Sequence, residues 1–239
     1  MTKRLLSRAR VGHAVRVTTP PPSSASRASG ASPGTGTQTA ERLLLAAAGA
    51  FADNGFHATT TRDIASRAGL SPAGVYVHFA SKEDLLHALS RDGHGTALAL
   101  VRSAANAPGS PGERLAAVMG SFAIWHAEHH QVARVVQYEF PHLTPEHRDE
   151  VLALRKEIDA IVRDLLHEGV EAGEFVVDDV HDTALALMSL CIDVARWYSP
   201  AISRTPGQIG GTYAALGLRL VGHTGIGHTG SAAPVRASD

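Results

Sequence analysis

The amino-acid sequence predicts an all-α chain, and three observations carry that prediction. Between about residues 37 and 222, apolar side chains recur at helical spacing almost throughout, cut by Gly, Pro and capping residues into about nine segments. No stretch alternates apolar and polar residues as a half-buried strand would. Segment starts at Ser110-Pro111-Gly112-Glu113, Thr144-Pro145-Glu146-His147 and Thr205-Pro206-Gly207-Gln208 place proline at the first helical position behind a hydroxyl cap. In the first and last of these, an acid or amide at the third position can close a reciprocal capping box.

With 239 residues and 44% apolar content, the chain suits one large or two modest domains with a real core. No run of about 18 uncharged apolar residues occurs, and the stretch from Leu43 to Ala52 fits a buried helix. A soluble, cytoplasmic protein is expected. The lone Cys191 rules out a disulfide framework within the chain, and its apolar neighbours predict a buried, inert thiol. The net charge of -1 hides a polarity: residues 1–90 carry ten Lys/Arg against five Asp/Glu, and residues 91–239 carry twelve against eighteen. Such a division suits an N-terminal module that faces a polyanion and a C-terminal one that does not.

Residues 1–36 hold six Lys/Arg and no acid, with a Pro/Ser/Gly/Thr-rich run from Thr18 to Thr37, so a disordered basic tail is expected. A basic arm laid on DNA phosphates is the other reading. No apolar core of a secretory signal follows the charges. A first helix is expected over Thr39 to Asn54, with Leu44, Ala47, Ala48 and Phe51 on one stripe and Gly55 as a left-handed cap.

Thr60 and Asp63 form a capping box for a second helix, Thr61 to Ala68, whose Ile64, Ala65 and Ala68 face inward. Gly69 ends it, and Ser71-Pro72 starts a third helix, Pro72 to Phe79, almost at once. Two short helices joined so tightly must cross steeply, which is helix-turn-helix spacing. Val75 and Phe79 can bury against the second helix, leaving Ala73, Gly74, Tyr76, Val77 and His78 outward. Small residues let a helix sink into the major groove, and Tyr76 with the hydroxyls of Thr60 and Ser71 can donate to phosphates. Ser81-Lys82-Glu83-Asp84 caps a fourth helix. Lys82 there is a cation at a helix start, unfavourable to the dipole unless it meets a phosphate.

From Ala46 to Leu86 the chain reads AAAGAFADNGFHATTTRDIASRAGLSPAGVYVHFASKEDLL, which resembles the DNA-binding domain of the TetR/AcrR family at nearly every position of its pattern. The resemblance implies a helix-turn-helix domain over residues 37–97, with the motif at 60–79, followed by a ligand-binding and dimerisation domain over 98–222 and a tail over 223–239. It implies that Thr60, Tyr76 and Lys82 hold phosphates and that Ser71, Ala73, Gly74, Tyr76 and His78 line the groove. Thr61 stands where the family usually has an apolar residue, so a place at the DNA rather than in the core is expected. The third helix offers no Arg, Lys, Asn or Gln for bidentate base reading, so readout must rest on Arg62, His78, thymine methyl contacts or DNA shape.

The implied function is a regulator, most simply a ligand-released repressor that binds a palindromic operator as a homodimer. An eighth helix over about Val180 to Tyr198 is apolar around much of its circumference, as burial by its own domain and a partner requires. Phe122, Trp125, Tyr138, Met188, Arg196 and Trp197 are the principal candidates to line an effector site, beside Met119, Val135 and Leu165. The stretch Ile192 to Tyr198 resembles a motif of family members that sense acyl-CoA thioesters. Arg196 is thus a candidate to attract a CoA phosphate, or simply to pair with Asp193 or Glu139.

His126, His129 and His130 are read as a solvated polar face rather than a metal site, since no Cys or paired carboxylate completes one. No metal or cofactor is expected. Helix 7, from Glu146 to Glu174, reads as an exposed, ion-paired surface. The competing classes are an enzyme and a purely structural bundle. The first lacks a Gly-rich phosphate loop, a nucleophile elbow and a Cys/His cluster, and the second gives no reason for Tyr76 and His78 to stand outward beside Lys82.

Overall fold

In the computed structural model of the chain, residues 33–223 are described, and every regular element among them is helical. The order is α1 (Pro33–Ala58), α2 (Thr61–Arg67), α3 (Pro72–Tyr76), α4 (Lys82–Ala105), α5 (Pro111–Glu128) and α6 (His130–Tyr138). A 3-10 turn (Phe140–His142) leads to α7 (Pro145–Glu171), α8 (Val180–Trp197) and α9 (Pro206–Leu220). None of these helices is long and apolar enough to cross a membrane. Most of the tails expected at either end lies outside the described residues, but residues 33–36, expected in the first, belong to α1, and His223, expected in the second, meets Glu174.

Local chemistry places the helix starts where the sequence puts them. Ser110, Thr144 and Thr205 each accept the amide three residues on, and Glu113 and Gln208 return the bond to the cap amide. The ends of α1 differ from expectation. It begins at Pro33 instead of Thr39, and Gly55 takes a positive φ of 76° with an extended ψ of 167°, so it breaks the helix rather than capping it left-handed. A short turn then runs on to Ala58, and the buried Thr59 hydroxyl reaches back to Gly55 O at 2.7 Å and Ala50 O at 3.1 Å. The third helix stops at Tyr76 rather than Phe79, because the His78 and Phe79 amides both turn onto Val75 O.

Apolar burial is divided between two cores. The first packs Leu43, Ala47 and Phe51 of α1 on Ile64 and Ala65 of α2, Val75 of α3 and Leu85, Leu86 and Leu89 of α4. Val135 and Val136 of α6 and Val151 of α7 close it from the C-terminal side. The second gathers Leu98 and Val101 of α4, Leu115, Met119 and Phe122 of α5, Val162 and Leu165 of α7, Leu187 and Cys191 of α8 and Ile209 of α9. Burial pushes the Cys191 thiol up to about 12, the inert state expected of it. The α5–α9 crossing is close because it is built on glycine: a Cβ on Gly210 would stand 2.8 Å from Gly120 O. In α4, Gly93 and Gly95 flank His94 within the helix interior.

The outer face of α7 is ion-paired as expected. Arg163 meets Asp159 at 2.9 Å, and Arg102 and Arg114 reach across to Glu157 and Glu168. Exposed pairs of this kind stabilise little. Of the three histidines, His126 corrects the expectation of a solvated face, while His129 and His130 stay partly exposed. His126 is only 5% exposed, donates from Nδ1 to Phe122 O at 2.8 Å, and lies edge-on to the rings of Phe122 and Trp125. His129 stacks on Trp125. The reason is register: positions 122 and 126 fall on the face that α5 turns inward.

Burial lowers the pKa of both His94 and His126 from the usual 6.5 to about 4. Between those values the unfolded chain takes up protons that the folded one refuses, so stability is full above about pH 6.5 and falls toward pH 4. Thermal melts across this range are expected to show that decline, and His126→Phe is expected to flatten it. An unchanged slope in the variant would contradict the assignment.

Candidate nucleic-acid interface

The reading surface is assembled by three caps and one tight turn. At the start of α2, Asp63 accepts both the Thr60 amide (2.9 Å) and the Thr60 hydroxyl (2.7 Å), while the Asp63 amide donates back to Thr60 Oγ1. The Thr60 hydroxyl bond is the main cause that holds the Asp63 carboxyl below its ordinary range. At the far end Gly69 adopts φ 66°, a left-handed conformation that costs glycine little, and lets the Leu70 amide return to Ala65 O at 2.9 Å. Arg42 of α1 donates to Ala68 O and ties the turn to the core. Ser71 then accepts the Gly74 amide at 3.2 Å, and Pro72 opens α3.

Val75 is fully buried beneath α3, so its neighbours are held outward. Ser71, Ala73, Tyr76 and Val77 are exposed, and Gly74 and His78 are partly so. Tyr76 is 55% exposed, and its hydroxyl lies 3.2 Å from that of Thr61 across the turn. Thr61 thus stands on the outer side with Tyr76 and outside the apolar core. Arg62 is exposed, whereas Arg67 is turned back into a pair with Asp53 at 2.6 Å. Thr60, Thr61, Arg62, Ser71, Ala73, Gly74, Tyr76 and His78 are therefore all on α2, α3 or the residues that flank them.

Lys82 corrects the expectation of an uncommitted cation. Its ammonium donates to Phe56 O at 2.6 Å and Thr59 O at 2.9 Å, lies 3.4 Å from His57 O, and sits 4.4 Å above the Phe56 ring. The last carbonyls of α1 have no partners within their own helix, and the start of α4 lies against them, so Lys82 serves as their cap. The Thr60 hydroxyl is likewise spent on Asp63 rather than left to donate outward.

The start of α4 is also fastened to α7. Glu83 accepts the Thr144 amide and His147 Nδ1, each at 2.9 Å, and the rings of His87 and His147 stack with centroids 3.6 Å apart. Glu83, Asp84 and His147 offer atoms within 4.8 Å of one another, close enough to share an ion. Those carboxylates already accept from Thr144, His147 and Ser81.

The six effector candidates separate into two groups. Phe122 and Met188 lie in the second core, Trp197 packs against it, and Trp125 is buried beside Ala133 and Ala195. Tyr138 is 57% exposed, and Arg196 is exposed and bound bidentately to Asp193 at 2.6 and 2.8 Å. Both are corrected: neither lines the interior, and Arg196 makes the alternative ion pair, which one helical turn within α8 supplies. The polar residues that the sequence did not single out are the buried Thr59 and Ser90 and the half-buried His94 and Arg155, the last three isolated polar positions on amphipathic helices with no motif to mark them.

A tight helix-turn-helix on a three-helix core, followed by a separate helical core, defines a DNA-binding transcriptional regulator. Residues 43–89 match the bacterial regulatory proteins of the tetR family, and residues 108–221 match the tetracyclin repressor-like C-terminal domain. The chain is similar to the HTH-type transcriptional repressor KstR2 of Mycobacterium tuberculosis, with 35% identity over 188 residues that span 77% of this chain and 93% of the relative. A tetR-family regulatory protein from Rhodococcus RHA1 superposes with a TM-score of 0.73 at 38% identity over 78% of this chain and 98% of that one. The fold is also that of AibR, solved with isovaleryl coenzyme A and operator DNA, at a TM-score of 0.68 and 23% identity over 74% of this chain and 97% of that one. The chain belongs to the TetR family.

Lys82→Met is expected to lower the unfolding free energy by about 1–3 kcal/mol, since it leaves α1 carbonyls unpaired beside a buried ring. Chemical denaturation checks this, and a change within error would show the cap to be incidental.

Proposed function

We propose that this chain is a repressor that binds a palindromic operator as a homodimer and leaves it when a small molecule fills the C-terminal domain. The observation that carries the reading is α3: a helix anchored by Val75 whose outer side is Ala73, Gly74 and Tyr76. A backbone so thinly covered can approach a groove floor, and the Thr61–Tyr76 hydroxyl pair beside it supplies phosphate donors. Residues 37–97 form the reading unit on this view, and residues 98–222 the effector and dimer unit. Lys82 contributes by fixing α1 against α4, and its charge adds to the field near the phosphates.

Dimerisation through α8 and α9 is supported by the large apolar side chains they leave exposed, Leu185 at 58%, Leu190 at 38%, Leu216 at 40% and Leu220 at 41%. The effector class is an acyl-CoA thioester, a reading supported by the apolar second core, which suits an acyl chain, and by AibR, which was solved with isovaleryl coenzyme A. α4 has its start beside the reading head and its second half in that core, so a ligand that favours one setting of α4 alters the spacing of two heads.

Mobility shift with the DNA upstream of the chain's own coding region, at fixed salt, tests the reading. Tyr76→Ala and Arg62→Ala are each expected to weaken binding to an inverted repeat there by about 10-fold. Wild-type affinity in both would remove these residues from the interface. Leu185→Asp is expected to yield a monomer on size exclusion with greatly weakened operator binding, and a dimeric variant would place the interface elsewhere.

A further inference from the structure

Arg155 of α7 stands half-buried between the two cores, and no carboxylate among the described residues lies within ion-pair distance of it. Its Nε donates to His94 Nε2 at 3.0 Å, and its guanidinium lies 4.2 Å over the Phe140 ring. Because His94 Nε2 accepts from Arg155 while Nδ1 donates to Ser90 O at 2.7 Å, the imidazole is neutral and offers Arg155 a lone pair without a charge. Arg155 Nη2 is buried with no partner at all.

The same turn of α4 carries further unused donors. Ser90, one helical turn before His94, is fully buried and its hydroxyl has no partner. Trp125 of α5 packs toward Gly93, and its indole N–H is also buried and unpaired. Other arginines with one idle nitrogen are compensated: Arg114 and Arg163 hold carboxylates, and Arg148 reaches two backbone carbonyls. Asp92 has an unpaired buried oxygen too, but it pairs with Arg91. A half-buried cation with no anion and with its innermost nitrogen unpaired is costly, and a ligand that supplies the missing charge relieves that cost.

We infer that Arg155, held by His94 one helical turn after the idle hydroxyl of Ser90, forms the polar end of the effector site and takes a carboxylate of the effector. A neutral carbonyl would satisfy one donor and leave the charge unmet, whereas a carboxylate matches the planar fork of the guanidinium. His94 is a positioning residue: it holds Arg155 by Nε and leaves Nη2 for the ligand. The inference rests on the reading that the C-terminal domain takes an effector, and the carboxylate can belong to an acyl thioester with an acidic far end or to a free acid.

The test uses calorimetric titration of the full chain with two pairs of probes, succinyl-CoA against butyryl-CoA and octanoate against octanol. Wild type is expected to prefer the carboxylate member of a pair by about 30-fold, and Arg155→Met to lose that preference. Arg155→Met without ligand is expected to melt no lower than wild type, because it removes an uncompensated charge; Arg155→Gln takes its place if it does not fold. Preference in the thioester pair supports both the inference and the acyl-CoA reading, while preference in the free pair alone supports the inference and defeats that reading. Equal affinities, a preference that survives in the variant, no binding by any probe, or a melting point several degrees lower for the ligand-free variant would each overturn it.

Discussion

One helix belongs to two cores, and the rest of the molecule is arranged around that fact. Leu85, Leu86 and Leu89 of α4 are packed by α1, α2 and α3, while Leu98 and Val101 are packed by α5, α7 and α8. Neither core can close without this helix, so the reading head cannot reorient while α4 stays fixed in the second core. Its N-terminal end is held three ways, by Lys82 on the carbonyls of α1, by Glu83 on the start of α7 and by the His87–His147 stack. These are polar bonds at partly exposed positions, easier to rearrange than the apolar contacts on either side.

The helix-turn-helix was legible because its information is local. Capping boxes, a glycine at the turn and a proline at N1 act over three or four residues, so Thr60, Asp63, Gly69, Ser71 and Pro72 reveal themselves in sequence. The roles of Lys82 and His126 were not legible, since both are decided by partners that only the fold brings near. The carbonyls of Phe56 and Thr59 lie 26 and 23 residues from Lys82 in the chain. Arg155 and His94 are 61 residues apart, and neither sits in a motif. Arg196 shows the opposite case, where a family likeness suggested a long-range role and the nearest acid, Asp193, took the side chain instead.

Recognition by a helix such as α3 places the burden on shape. Ala73 and Gly74 offer no base donors, and Tyr76 is engaged with Thr61, so on the proposed reading close approach replaces hydrogen-bonded readout along α3. The stiffness of the cap network then matters more than the chemistry of any one exposed side chain.

Gly93 and Gly95 leave a mark on α4 beyond their own positions. Each costs a helix interior about 1 kcal/mol relative to alanine, and nothing packs where a side chain on Gly95 would be. The helix is therefore most compliant between its two sets of leucines, near the only turn that carries His94. Its two halves are held firmly by different neighbours and joined by a softer link, so bending strain imposed on either end collects at the middle and spares the packing.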